Sequence, residues 1–294
     1  MAVTERDPHT GHQTTGHEWN GIKELNTPVP RAVWLFLILS ALFAVGYWIL
    51  MPAWPLGRTY THGLLGVDQR TTVTRIVERA AQERSAWTGR IAALDYNQIR
   101  ADPALMKIVR EDGHRLFGDN CAACHGINAT GGKGFPNLID KDWLWGGSPD
   151  MIAQTIAVGV NSSKSKDTRV SQMLAFGRDG ILDNNAVLAV TDYVLSLSDP
   201  AHALGRTAQS VAAGQAVFAA NCVACHGPEG RGNQALGVPN LSDRTWLYGG
   251  DAQSVYTSVY DGRQGEMPAW QNQLSPVDRK ILVVYLLDKG ASRR

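Results

Sequence analysis

The sequence predicts an all-α chain: one membrane-crossing helix near the N-terminus, followed by two tandem copies of one small helical module. Three observations carry this. Residues 33–51 form an uncharged apolar run, two later segments repeat each other's flanks, and each repeat closes on an apolar helical pattern. Length and composition agree, since 294 residues are too many for one small domain, while 44% hydrophobic and 19% charged residues are ordinary for a globular chain. Twenty-eight Lys and Arg against 27 Asp and Glu leave a formal charge of +1. No broad basic field exists, which excludes nucleic acid as a partner.

From Ala32 to Gly57 there is no charged residue, and Val33–Met51 reads VWLFLILSALFAVGYWILM. As a helix this run spans about 29 Å, the thickness of a bilayer's hydrocarbon. Trp34 at one end and Tyr47, Trp48 and Trp54 at the other suit the two interfaces, and Pro52 and Pro55 end the helix. A cleaved signal peptide would have a shorter apolar region, an earlier start and a small-residue cleavage site, which Met51-Pro-Ala-Trp-Pro55 does not supply. The expected organisation is therefore an N-terminal segment 1–31, an anchor 32–55, a helical linker 56–107 and two modules, 108–200 and 206–294. Lys23 and Arg31 before the anchor are matched by Arg58 and Arg70 after it, so charge alone leaves the orientation open. In the linker, Thr71–Gln82 is helical in pattern and Asp102-Pro103 reads as a helix start.

All four cysteines lie in two like motifs, Cys121-Ala-Ala-Cys124-His125 and Cys222-Val-Ala-Cys225-His226. Two thiols at this spacing can add to the two vinyl groups of one haem, and the next histidine then sits under its iron. The alternatives fit less well: a thioredoxin-like pair needs a βαβ context that is missing, and a zinc site would leave both histidines unexplained. The flanks repeat as well. Gly113 and Phe117 answer Gly214 and Phe218, Pro136-Asn-Leu138 answers Pro239-Asn-Leu241, and Trp143-Leu-Trp-Gly-Gly147 answers Trp246-Leu-Tyr-Gly-Gly250. Residues 183–197 and 275–289 are the closing helices, the latter opened by Ser275 and Pro276. The chain is thus expected to carry two covalently bound haem c groups.

A haem iron held by one histidine has a further axial position, and its occupant decides between electron transfer and chemistry on a bound molecule. Met267 is the one methionine of the second module, which has no histidine beyond His226. In the first module Met151 sits at helical spacing with Ile152 and Ile156 and reads as core, whereas Met173 holds the same loop position as Met267. The Cys-to-Met separations are 52 and 45 residues, the difference being the polar insertion 161–167. The expected ligands are therefore His125 and Met173 for haem 1, and His226 and Met267 for haem 2. Met267 precedes Pro268, while Met173 precedes Leu174.

The order of opening helix, haem motif, Pro-Asn-Leu loop and closing helix resembles the class I cytochrome c fold, so the resemblance implies two tandem class I cytochrome c domains. It implies that Gly113, Phe117, Gly214 and Phe218 pack where the first and last helices cross. It also implies that the carbonyls of Pro136 and Pro239, 11 and 13 residues after their histidines, accept the histidine hydrogen bond. Trp143 and Trp246 fit either the haem edge, as propionate donors, or simple core. Asn20-Gly-Ile-Lys-Glu-Leu-Asn-Thr-Pro-Val-Pro-Arg31, Trp34, Ala44-Val-Gly-Tyr47 and Pro52 resemble the di-haem subunit III (CcoP/FixP family) of cbb3-type cytochrome c oxidase, as does Gln172–Gly180. That resemblance runs from about residue 18 to the end. It implies a bacterial inner-membrane protein with a cytoplasmic N-terminus and periplasmic haem domains, without a catalytic site of its own. Its role would be to take electrons from a donor cytochrome c and pass them to the mono-haem subunit and to the catalytic subunit with its b-type haems and copper. Membrane lipid surrounds the anchor. An electron-transfer subunit of another membrane complex and a di-haem peroxidase are the competing readings; the latter needs an iron without a methionine candidate.

Overall fold

A computed structural model describes residues 5–201 and 208–292. The boundary expected between the modules, at 200–206, falls largely outside these residues. The chain divides into two units, residues 1–83 and 84–294.

The first unit opens with a small β-hairpin that the all-α reading did not include. Strands β1 (Thr14–Trp19) and β2 (Ile22–Leu25) pair antiparallel, with Trp19 opposite Ile22. Asn20 and Gly21 both take positive φ, 50° and 83°, the backbone that a two-residue hairpin turn requires. Helix α1 (Arg31–Leu50) follows, apolar on every face and with no buried residue. Its C-terminal carbonyls do not go unpaired. The chain returns so that the N–H groups of Leu64 and Leu65 donate to Ile49 and Leu50 oxygens, at 2.9 and 3.1 Å. Gly63 makes this return possible, because its φ is 68° and a Cβ there would lie 2.4 Å from the Leu50 oxygen. Helix α2 (Gln69–Ala93) begins in this unit and continues past the division.

Among the described residues, the regular elements of the second unit are all helices, joined by long loops. Its first run comprises α3 (Tyr96–Ala101), α4 (Pro103–Asn120), α5 (Ala122–His125) and α6 (Pro149–Val158). The second comprises α7 (Asn184–Ser198), α8 (Ala208–Asn221), α9 (Val223–His226), α10 (Ala252–Asp261) and α11 (Pro276–Ala291). Starts follow local chemistry: Asp102 caps α4 with Pro103 at its first turn, Asp183 caps α7, and Ser275 with Asp278 forms a capping box on α11.

The packing departs from the sequence expectation that each module closes on its own last helix. Helix α11, the closing helix of 206–294, packs on α4 and α6 of the first module and on α3 from the linker before it, and α7, the closing helix of 108–200, packs on α8 and α10 of the second. One core joins Leu105, Val109, Phe117, Ile152 and Ile156 to Ile281–Leu286; the other joins Val187, Val190, Val194 and Leu195 to Phe218, Val255 and Val259. The second body is thus an unbroken stretch of chain inserted between α6 and the Met267 loop of the first. A physical reason lies in the connection. Only residues 199–207 separate α7 from α8, and a short link closes a contact between neighbouring helices at low entropic cost.

The helix crossings are where the glycines sit. A Cβ on Gly113 would lie 2.7 Å from Tyr285 Cβ, and one on Gly214 would lie 2.0 Å from the Ala189 oxygen. Arg110 on α4 donates to Asp288 on α11 through Nε (2.8 Å) and Nη2 (3.1 Å), and Ser210 Oγ donates to the buried Asp192 at 2.8 Å across the α7–α8 contact. Because the obstacle at Gly214 is backbone, Gly214→Val should destabilise the chain by about 1–3 kcal/mol. Gly118→Ala, on the open side of α4, should be neutral or stabilising by up to about 1 kcal/mol; paired thermal melts of the two variants check this.

Candidate haem-binding sites

Each motif folds the same way because a short helix follows the opening one after a single residue. Cys121 ends α4 and caps α5, so Cys121, Cys124 and His125 occupy one helical turn, with the Cys124 and His125 N–H groups donating to the Cys121 oxygen at 3.2 and 3.0 Å. Cys222, Cys225 and His226 repeat this at 3.1 and 2.9 Å. None of the four cysteines forms a disulfide, Cys124 and Cys225 are exposed, and as thiols Cys121 and Cys222 are pushed up to about 11 by burial and the neighbouring cysteine.

The histidines are buried, and each points one ring nitrogen at a carbonyl. His125 Nδ1 lies 3.0 Å from the Pro136 oxygen and His226 Nδ1 3.2 Å from the Pro239 oxygen. A carbonyl only accepts, so Nδ1 carries the proton and Nε2 keeps the lone pair a metal needs. Burial lowers both histidine pKa values, against the smaller opposing effect of the proline carbonyl, and keeps the rings neutral. The loop that brings proline to histidine turns on a glycine in each copy: the Gly131 and Gly232 N–H groups donate to the His125 and His226 oxygens at 2.8 and 2.9 Å. Both have positive φ, and a Cβ would meet the Phe135 or Val238 oxygen at 2.3 or 2.4 Å. No group of three or more His, Cys, Asp and Glu side chains suited to a bare metal ion exists among the described residues, so the zinc alternative finds no support. Free thiols on the same turn as an oriented, neutral imidazole fit a covalently attached haem.

The methionines lie in the opposite arrangement to that expected. Met267 packs with the core built on Phe117, next to the His125 motif, and Met173 packs with the core built on Phe218, next to the His226 motif. Both loops are held by reciprocal backbone pairs: Met267 with Val160, at 2.9 Å in both directions, and Met173 with Arg263, at 2.8 and 3.0 Å. The pairing uses the methionine's own N–H and oxygen, which is why the next residue can be Pro268 or Leu174. The expected pairs His125–Met173 and His226–Met267 are corrected to His125–Met267 and His226–Met173 as the residues brought into one body.

Trp143 and Trp246 both satisfy two descriptions, partly buried against the cores while lining a cavity of about 660 Å³ between the two His–Pro loops. Asp140, Asp142 and Asp243 share that cavity. Two cation–aromatic pairs escaped the sequence reading: Arg169 lies 4.7 Å from the Trp145 ring centre and Arg263 4.3 Å from that of Tyr248. Trp145 and Tyr248 stand at matching places in the repeated Trp-Leu-aromatic motif, and that was the available signal.

These features define a membrane-anchored cytochrome with two class I haem c domains. Family models agree: the N-terminal domain of cytochrome oxidase-cbb3, FixP, matches residues 11–58, cytochrome c matches 110–198, and cytochrome C oxidase, cbb3-type, subunit III, matches 209–286. The chain is 45% identical over 290 residues to the cbb3-type cytochrome c oxidase subunit FixP of Bradyrhizobium diazoefficiens, covering 99% of each. It is 41% identical over 301 residues to subunit CcoP of Azospirillum sp. (strain B510), covering all of both, and 40% over 278 residues to CcoP of Cereibacter sphaeroides, covering 94% of each. The chain belongs to the FixP/CcoP family of cbb3-type cytochrome c oxidase subunits, and it carries two covalent haem c groups.

The cavity carboxylates give a pH test. Burial raises the pKa of Asp140, with like charge from Asp142 and Asp243 adding to it. A carboxyl raised on folding disfavours the folded state above its ordinary pKa, and the penalty is complete once pH passes the raised value. Asp140→Asn should therefore raise Tm at pH 7 and leave it unchanged near pH 3, as thermal melts at the two pH values would record.

Proposed function

We propose that this chain brings electrons into a cbb3-type oxidase, accepting them from a donor cytochrome c and delivering them towards the mono-haem subunit and the catalytic haem b/copper subunit. In this reading Cys121 and Cys124 hold one macrocycle, with His125 and Met267 as its iron ligands, and Cys222 and Cys225 hold the other, with His226 and Met173. His125 with Met267, and His226 with Met173, would each hold a haem that supplies reversible one-electron chemistry when bound, and neither side chain need leave its place for it. The observation that carries the reading is the repeated set of a buried, carbonyl-oriented histidine on one turn with two cysteines outside any disulfide, with one methionine loop backbone-paired into each body.

What the side chains contribute follows from their surroundings. The proline carbonyls fix each imidazole and increase its electron donation. The apolar cores around Phe117 and Phe218 exclude water and so favour the less charged, reduced state. Methionine sulfur favours that state further than a second imidazole would. The peroxidase alternative requires a site lacking a methionine, and each body has one. In orientation, we place the N-terminal segment in the cytoplasm and the haem domains in the periplasm, because covalent haem attachment takes place on the outer face of the inner membrane.

The test is a redox titration of Met267→His. The variant should lose midpoint potential on the order of 0.1 V or more at one haem. A chain that keeps only the Cys121–Cys124 haem, through Cys222→Ala and Cys225→Ala, should retain the whole shift; an unshifted potential in that chain would remove Met267 from the first iron. In the assembled oxidase, the same substitution should slow oxygen uptake from reduced cytochrome c.

A further inference from the structure

We propose that the first half of α2 is an interfacial helix that lies on an anionic bilayer surface, apolar stripe down, beside the anchor. The inference rests on the reading of residues 31–50 as a membrane anchor. Val73, Ile76 and Val77 are 58%, 62% and 57% exposed, an unusual state for three branched apolar side chains on one helix. With Ala80 they fall at i, i+3, i+4 and i+7, a single stripe. On the polar faces between residues 69 and 82 stand Arg70, Arg75 and Arg79 against one acid, Glu78. An apolar stripe flanked by Arg70 and Arg79, with Arg75 and Glu78 on the far side, is the pattern of a helix that lies in the headgroup region, where the flanking guanidinium groups pair with lipid phosphates.

Position supplies the second argument. Two ties hold the start of α2 close to the membrane end of α1. Leu64 and Leu65 donate to the last carbonyls of α1, and three residues lie between Leu65 and Gln69, a reach of at most about 14 Å. Asp68, whose carboxylate takes the Arg70 N–H at 2.8 Å at the head of the helix, is also hydrogen-bonded by Tyr60 from the returning loop. Between anchor and stripe, Leu56, Leu64, Leu65 and Val67 are exposed as well, with Arg58 the one Lys or Arg among them. Exposed apolar side chains thus recur along the chain from the anchor to the stripe of α2, and with arginines beside them bilayer is the occupant that suits both.

The test uses the full-length, haem-loaded chain, in which thioether bonds occupy the native cysteines. Ile76→Cys on the stripe, Glu78→Cys on the opposite side and Phe43→Cys in the anchor are each labelled with an environment-sensitive fluorophore. They are reconstituted into phosphatidylcholine vesicles with and without phosphatidylglycerol, and quenched by phosphatidylcholine brominated near the top of its acyl chains. The label at 76 should be quenched at least about twofold more than that at 78, and the difference should shrink without phosphatidylglycerol or in high salt. Equal quenching at 76 and 78 with the anchor label still quenched would overturn the proposal alone. An unquenched label at 43 would overturn the anchor itself. In the intact oxidase, a label at 76 shielded from brominated lipid would show that protein, and not lipid, covers the stripe, and would likewise overturn it.

Discussion

The contact on which the haem-carrying unit depends is the crossing of each opening helix with the other module's closing helix. At Gly113 and Gly214 the helices approach until a single added carbon would strike Tyr285 or the backbone of Ala189. That closeness brings Phe117 and Phe218 into full burial and seats the aliphatic faces of α11 and α7 against them. Phe117 is followed four residues later by Cys121, so the same packing fixes where the haem motif begins. Loss of either crossing would release a core and a haem motif together.

Exchange of the closing helices ties the two haem bodies into one folding problem. The first body needs residues up to Leu286 to fill its core, although its haem motif lies at 121–125. The second body is complete within one stretch of chain. The two methionine loops extend this dependence, because each pairs its backbone with the segment after the middle helix of the body it enters, Val160 for Met267 and Arg263 for Met173. Such interlocking ties the two haem motifs to each other's modules, so that neither core forms without the other module's closing helix.

Much of this was legible in the sequence because it is local. Adjacent thiols and histidine, helix caps at Asp102, Asp183 and Ser275, the His–Pro separations and the uncharged run of α1 each lie within a short window. The partnership of α11 with α4 was not legible. Both modules offer a glycine and a phenylalanine at the crossing, so the pattern accepts either closing helix, and only the short connection from α7 to α8 and the packing of whole cores decide between them. The methionine pairing went astray for the same reason. The hairpin at 14–25 was missed although Asn20-Gly21 is a strong turn signal. Arg169 and Arg263 were missed because the aromatic rings they cover lie 24 and 15 residues away in sequence.

The most direct measurement is an experimental structure of the haem-loaded chain, read at its two irons. Continuous density from Met267 sulfur to the iron above His125, and from Met173 sulfur to the iron above His226, is the predicted result. Density joining Met173 to the iron of His125 would contradict the exchange of closing segments and the assignment of ligands that follows from it.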